Sequence, residues 1–189
     1  MKQVETERVM ISLKRILPAM AVVLVILAAG ARAQMSLGDL VAEGGYHWIM
    51  GRWVATTDEG DKMLLEYKWE LNKYLLTVHL KWAESEYRGM IFYDAPKDQV
   101  IQVGVDAQGG NGKGLWEPMG DKALLKYEHT GANWETNRMA LAHSRVDADT
   151  MKIEVHELYS SGEVADTPSG ALEFKRVKEK RAKEAKSKA

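Results

Sequence analysis

Apolar and polar residues alternate along residues 62–71, and this alternation is the clearest structural signal in the chain. Tyr67 and Trp69 share one face of this segment, while Glu66 and Lys68 share the other. A period of two is typical of a β-strand with one buried face. The segment is therefore predicted to be a strand of an antiparallel sheet.

A tight turn at Asn72 and Lys73 would fix how this strand pairs with the next one, because asparagine tolerates positive φ. The pairing then places each inward residue opposite another apolar residue. The predicted inward pairs are Trp69 with Leu76, Tyr67 with Val78, Leu65 with Leu80, and Met63 with Trp82. A slip of one residue would exchange the two faces, so the alternation favours this register.

A second turn is predicted at Glu84 and Ser85, again with apolar residues inward. It would pair Trp82 with Tyr87, Leu80 with Gly89, Val78 with Ile91, and Leu76 with Tyr93. The following strand is expected to turn three apolar residues inward, namely Ile101, Val103 and Val105. The glycine-rich residues 108–114 are interpreted as a flexible loop. They lack the first glycine and the Ser/Thr of a phosphate-binding loop.

Further short strands follow at regular spacing to the end of the patterned region. They are predicted at residues 115–119, 122–129, 134–146, 151–159 and 171–176. A turn at residues 147–149 would place Leu141 opposite Val155 and His143 opposite Ile153. With the strand after Trp53, the count is about nine or ten. The prediction is an all-β fold: a single antiparallel up-and-down β-barrel, preceded by a short helix within residues 36–50.

The first 33 residues have the three parts of a secretory signal peptide. Residues 1–15 include four basic side chains, residues 16–31 carry no charge, and the segment ends on Ala-Arg-Ala. Cleavage after Ala33 would export the protein to the periplasm or beyond, and translation could start at Met1 or Met10. An apolar run shorter than about 18 residues predicts no stable membrane span after cleavage.

Composition limits the remaining possibilities. The 189-residue chain has no cysteine, which excludes disulfides and thiolate chemistry. Residues 34–174 carry 13 basic and 23 acidic side chains, and the formal net charge of −1 for the whole chain argues against nucleic-acid binding. Residues 34–176 are predicted to form the barrel domain. Residues 177–189 form a basic tail, which is expected to be flexible or helical.

Two short motifs carry a resemblance to a known family. Gly51-Arg52-Trp53 follows the predicted helix, and Phe174-Lys175-Arg176 ends the last predicted strand. Together they resemble the Gly-x-Trp signature and the closing arginine of lipocalins and other calycins. The resemblance implies a lipocalin-like barrel in which Arg176 points inward and covers Trp53.

A third motif narrows the resemblance. Tyr87-Arg88-Gly89, followed by Tyr93-Asp94, resembles a bacterial family of exported lipocalin-like domains of unknown function. The resemblance covers about residues 40–176 and includes no disulfide, unlike the vertebrate lipocalins. It therefore implies a fold and leaves the ligand unnamed.

The inward aromatic residues and two inward polar residues are the candidate ligand contacts. They are Tyr67, Trp69, Trp82, Tyr87, Tyr93, Tyr127, His143 and Glu157. One interpretation is a cavity that binds a small apolar or aromatic molecule without a covalent bond. The alternative is a filled barrel that acts as a structural or interaction protein, since aromatic side chains also build cores.

No residue set stands out as catalytic, although an enzyme using the barrel mouth stays open as a third alternative. His143 and Ser144 are neighbours, and their side chains point to opposite faces of a strand. The remaining histidines show no metal-ligand spacing, so neither a metal nor a cofactor is predicted. Haem, the ligand of the nitrobindin barrel, has little support because nitrobindin's residue pattern after Gly-x-Trp is absent. The sequence gives no oligomeric state.

Overall fold

The computed structural model of the protein describes residues 35–178, which form a closed barrel of ten antiparallel strands. The strands are β1 (Gly51–Thr56), β2 (Lys62–Glu70), β3 (Leu75–Trp82), β4 (Ser85–Asp94), β5 (Gln99–Asp106), β6 (Asn111–Met119), β7 (Lys122–Thr130), β8 (Thr136–Arg145), β9 (Thr150–Glu157) and β10 (Gly170–Arg176). Each strand pairs with the next along the chain, and β10 pairs with β1. The predicted all-β up-and-down barrel is confirmed. The predicted signal peptide and most of the basic tail lie outside the described residues.

A short helix, α1 (Leu37–Glu43), precedes the barrel. It begins in a capping box in which the Ser36 hydroxyl accepts the backbone N–H of Asp39 at 3.1 Å and the Asp39 carboxylate accepts that of Ser36 at 2.9 Å. A 3₁₀ turn at Tyr46–Ile49 then leads directly into β1. A further 3₁₀ turn lies at Leu71–Lys73. Within residues 35–178, no helical segment has the length and apolarity needed to cross a membrane.

The β2–β3 hairpin has the predicted register, with Trp69 opposite Leu76 and Tyr67 opposite Val78. The turn is longer than predicted. The last pair of the ladder is Glu70 with Leu75, so the loop has four residues, 71–74. Within this loop, Asn72 adopts a φ of 53°. The alternation therefore determined the register even though the turn type was wrong.

The predicted turn at Glu84 and Ser85 is wrong by one residue in position and by two in register. Trp82 pairs with Ser85 instead of Tyr87, and Tyr87 pairs with Leu80. A shift of two residues leaves every side chain on its original face, so alternation alone cannot detect it. The side chain of Trp82 at the end of β3 is 42% exposed.

The predicted orientation of β5 is also wrong: Ile101, Val103 and Val105 lie on the outer face. Val105 is 58% exposed, whereas Gln102 points inward and is 4% exposed. The Gln102 amide is satisfied inside the barrel, because it accepts the indole N–H of Trp116 at 3.0 Å. A polar residue can face inward when its hydrogen bonds are made there.

The predicted flexible loop at residues 108–114 is partly strand, because β6 begins at Asn111. Gly112 and Gly114 face inward in this strand, opposite His129 and Tyr127. The Tyr127 ring lies against Gly112 so closely that a Cβ atom there would collide with its hydroxyl group. Here the glycines make room for an aromatic ring inside the barrel, and they do not mark a loop.

The most deeply buried side chains lie near the α1 end of the barrel. Trp53, Met151 and Phe174 are almost completely inaccessible there. On the outer face, Leu158 and Val164 of the β9–β10 connection cover a separate small cluster around Leu124. The β8–β9 hairpin has its predicted register, which places the buried His143 inside the barrel opposite Ile153.

Candidate functional site

The barrel interior contains a cavity of about 610 Å³ at the end covered by α1. Leu37, Leu40 and Val41 of α1 form one side of it. The strands supply most of the remaining wall, including Tyr67, Leu76, Ile91, Val100, Trp116 and Ala123. The cavity is large enough for a drug-sized molecule, and its wall is mostly apolar.

The rim of the cavity carries its polar and charged residues. Tyr93 lies next to the last residue of β4, Gln99 begins β5, and Glu117 lies near the end of β6. Because the strands are antiparallel, these chain segments meet at the end of the barrel from which β1 starts. The Tyr93 hydroxyl donates to the carboxylate of Asp98 at 2.7 Å. Asp98 also lines the cavity, and its hydrogen bond raises the pKa of Tyr93.

Tyr67 and His143 form a buried pair beside the cavity. The Tyr67 hydroxyl lies 3.1 Å from Nε2 of His143, and Nδ1 of His143 lies 3.1 Å from the backbone carbonyl of Leu141. A carbonyl oxygen can only accept, so the proton of the ring is on Nδ1 and Nε2 accepts from Tyr67. Burial lowers the pKa of His143 to about 4 and raises the pKa of Tyr67. Both groups are therefore uncharged at neutral pH.

Trp116 is a lining residue that the sequence analysis missed. Its ring centroid lies 4.9 Å from that of His143 and 6.5 Å from that of Tyr67. It shares the inward face of β6 with Gly112 and Gly114. The available signal was this alternation, which was hidden because these glycines were assigned to a loop.

Tyr87 and Tyr127 form a second aromatic group in the half of the barrel away from α1. The Tyr127 hydroxyl donates to that of Tyr87 at 2.9 Å, and the Gln102 amide donates to the same oxygen at 3.2 Å. The rings meet edge to face with centroids 6.1 Å apart. Because both rings pack against inward glycines, this half of the barrel is filled by side chains.

The predicted ligand contacts therefore fall into separate places. Tyr67 and Tyr93 line the cavity, and His143 contacts the cavity wall through Tyr67 and Trp116. Trp69 packs half-buried against the core, and Tyr87 and Tyr127 form the filled half. Trp82 and Glu157 are exposed at the end of the barrel opposite α1.

Trp53 and Arg176 meet where β1 pairs with β10, at the α1 end of the barrel. The Trp53 indole donates to the carbonyl of Ile49 at 2.8 Å, and the Arg176 guanidinium lies 4.0 Å from the Trp53 ring centroid. Arg176 also donates to the carbonyls of Trp48 and Met50, each at 2.7 Å. The expected stacking of Arg176 on Trp53 is present.

Gly51 permits this arrangement for two reasons. Its φ is 115°, a value that side-chain-bearing residues rarely adopt. A Cβ atom at this position would also lie 2.8 Å from Nη1 of Arg176. The glycine therefore lets the arginine reach the backbone at the start of β1.

Comparisons with known proteins add no further identification. Neither a scan against protein-family models nor a search of curated proteins finds a match to this chain. Within residues 35–178, no group of three or more potential metal-ligating side chains is assembled. Fold and site define the molecule as a closed ten-stranded β-barrel with an internal cavity at one end.

The buried neutral His143 predicts that acid destabilises the protein. Its pKa is about 4 when folded, against about 6.5 when unfolded, so the unfolded chain binds the extra proton in this window. The contribution of neutral His143 to the free energy of unfolding is complete above pH 6.5 and falls by about 3 kcal/mol by pH 4. Urea unfolding at the two pH values measures it.

His143→Gln is the control for this pH dependence, since the amide oxygen still accepts from Tyr67 and does not titrate. Its loss of stability between pH 6.5 and 4 should be smaller by about 3 kcal/mol. Glu154, paired with Lys122 and Lys152, has its pKa lowered from 4.5 to about 2, so its contribution is lost between about pH 4.5 and pH 2. This loss is the same in wild type and variant and cancels in their difference. An equal loss in wild type and variant would contradict the assignment to His143.

Proposed function

We propose that the protein binds a small apolar or aromatic molecule non-covalently in the cavity under α1. The observation that carries this proposal is the cavity itself, about 610 Å³ within an otherwise well-filled barrel. Apolar side chains from α1 and from several strands form its wall, and a few hydroxyl and indole groups interrupt it. Such a combination is typical of small-molecule sites.

The proposal includes the family type and the location of the protein. The Gly51, Trp53 and Arg176 arrangement supports a lipocalin-like barrel, because it combines the entry motif with the covering arginine. The apolar segment before Ala33 supports export. We therefore propose an exported lipocalin-like carrier or sensor of a small ligand.

The packed half of the barrel suits the alternative of a structural protein, but that alternative leaves the cavity without a role. The enzyme alternative would need a titratable group free to act on a substrate. His143 is strongly perturbed, yet Nε2 accepts from Tyr67 and Nδ1 donates to Leu141. Both ring nitrogens are thus occupied by the protein, which favours binding over acid–base catalysis.

Filling the cavity tests the proposal. Ala123 lines the cavity and is buried, so Ala123→Phe places a ring in the space that a ligand would occupy. N-phenyl-1-naphthylamine, a probe that fluoresces in apolar surroundings, should bind the wild type. Ala123→Phe should weaken the binding at least about tenfold.

Ala132→Phe is the matched control, because Ala132 is exposed in the β7–β8 connection. It should leave probe binding unchanged. Native mass spectrometry of protein from its own source provides a second measurement, in which a co-purifying small molecule is expected. No fluorescence increase with wild type, or equal binding by both variants, would contradict a ligand site in this cavity.

A further inference from the structure

The tyrosine hydroxyls at the rim of the cavity already donate their protons to the protein. Tyr46 lines the cavity and donates to the backbone carbonyl of Lys122 at 3.2 Å. Tyr93 donates to the carboxylate of Asp98 at 2.7 Å. A hydroxyl group has one proton and two lone pairs, so both oxygens can only accept a hydrogen bond from a ligand.

The same holds deeper in the cavity. Because Nδ1 of His143 donates to Leu141, the Tyr67 hydroxyl must donate to Nε2 of His143, and its oxygen is left as an acceptor. The indole N–H of Trp116 is occupied by Gln102 at 3.0 Å. The inner wall therefore offers a ligand hydrogen-bond acceptors, while its side-chain donors are already used.

The charged side chains at the rim also favour a ligand that donates hydrogen bonds, because they are carboxylates. Glu43, Asp98 and Glu117 line the cavity. Of these three carboxylates, Glu117 forms an ion pair within the described residues, with Lys126 at 2.9 Å. In the part of the chain that the structure describes, no lysine, arginine or histidine side chain lines the cavity. The exposed amide of Gln99 is the remaining rim group that can donate.

We propose that the ligand of this cavity is an apolar amine and that the cavity rejects apolar carboxylates. An amine donates N–H bonds to the tyrosine oxygens, and its positive charge lies near the rim carboxylates. A carboxylate has only acceptors to offer to a wall that itself offers acceptors, and its negative charge would lie near the rim carboxylates. It would lose its hydration, and the Gln99 amide would be its one side-chain donor at the described rim. The inference rests on the proposed function, since it assumes that the cavity is the ligand site.

Competition among three ligands with one ring system tests the inference. 1-Naphthylmethylamine, 1-methylnaphthalene and 1-naphthoic acid share their apolar body and differ in charge and hydrogen bonding. Each is titrated against N-phenyl-1-naphthylamine bound to the full chain. The amine should displace the probe at a concentration at least about tenfold below that of the acid, with the hydrocarbon between them.

A pair of double variants separates the rim from the acidic surface as a whole. Glu43→Gln with Asp98→Asn removes two charges from the rim. Glu163→Gln with Asp166→Asn removes two from the exposed β9–β10 connection, neither of which lines the cavity. The ratio of the affinity for the amine to the affinity for the acid should fall about three- to fivefold in the rim variant, the size expected for exposed charges. The distant variant should leave this ratio unchanged.

The outcomes distinguish the two proposals. If the probe binds and the acid displaces it as well as or better than the amine does, the amine inference is overturned. The ligand site itself then stays in place. An equal effect of both double variants would also overturn it, because the preference would then come from overall charge. No probe binding by wild type would overturn the proposed function and the inference with it.

Discussion

Replacing Trp53 with alanine is expected to lower the free energy of unfolding by about 3 to 5 kcal/mol, the range for truncating a buried tryptophan. Its side chain is 1% exposed and donates to the carbonyl of Ile49. The substitution removes the ring on which Arg176 lies and leaves an empty space at the α1 end of the barrel. Urea unfolding followed by circular dichroism measures the change.

Trp134→Ala is the matched control for this prediction. Trp134 lies in the β7–β8 connection and is 86% exposed, so its removal should change stability by less than about 0.5 kcal/mol. A midpoint for Trp53→Ala as close to wild type as that of Trp134→Ala would refute the structural role of Trp53.

Replacing Arg176 with alanine is expected to cost about 3 to 6 kcal/mol, because two hydrogen bonds from a charged donor are lost and each contributes about 1.5 to 3 kcal/mol. The guanidinium donates to the carbonyls of Trp48 and Met50 and covers the ring of Trp53. It joins the end of β10 to the segment that enters β1. The same unfolding measurement applies.

The neighbouring Lys175 gives the comparison. Its side chain is largely exposed on the outer face, where it reaches the Thr150 hydroxyl at 2.8 Å and lies 3.9 Å from the Glu173 carboxylate. Lys175→Ala should cost less than about 1 kcal/mol, as expected for an exposed charged side chain. Equal losses for Arg176→Ala and Lys175→Ala would show that the closing contact contributes little.

Local alternation predicted most of the architecture. The inward pairs of Tyr67 with Val78 and of His143 with Ile153 were correct, because one strand face is apolar and a shift by one residue would bury charge. The contact between Trp53 and Arg176 was implied by the resemblance of two distant motifs to those of lipocalins, and it is present. The strand registers, in contrast, have their physical cause in the local sequence.

The errors occurred where the cause lies elsewhere in the structure. Gln102 faces inward because Trp116 and Tyr87 satisfy its amide, and no local pattern contains those partners. Position 112 of β6 is a glycine because the Tyr127 ring occupies the space that a side chain there would need. Such contacts between distant strands decide which polar or small residue faces the interior.

The candidate site was predicted only in part for the same reason. Tyr67 and Tyr93 were found because they continue an apolar face. The cavity, however, depends on where α1 lies across the barrel end and on which half Tyr87 and Tyr127 fill. Strand parity separates inside from outside, but it does not say at which height along the barrel the empty space is left.

The pairing of the first strand with the last has a consequence for the order of folding. Trp53 lies opposite Arg176 in the pairing of β1 with β10, so the ring of strands is complete only when the whole domain has left the ribosome. Before that point, β1 and the most recently made strand each present an unpaired edge. A nascent or truncated chain without β10 is therefore the species most exposed to aggregation and to capture by chaperones.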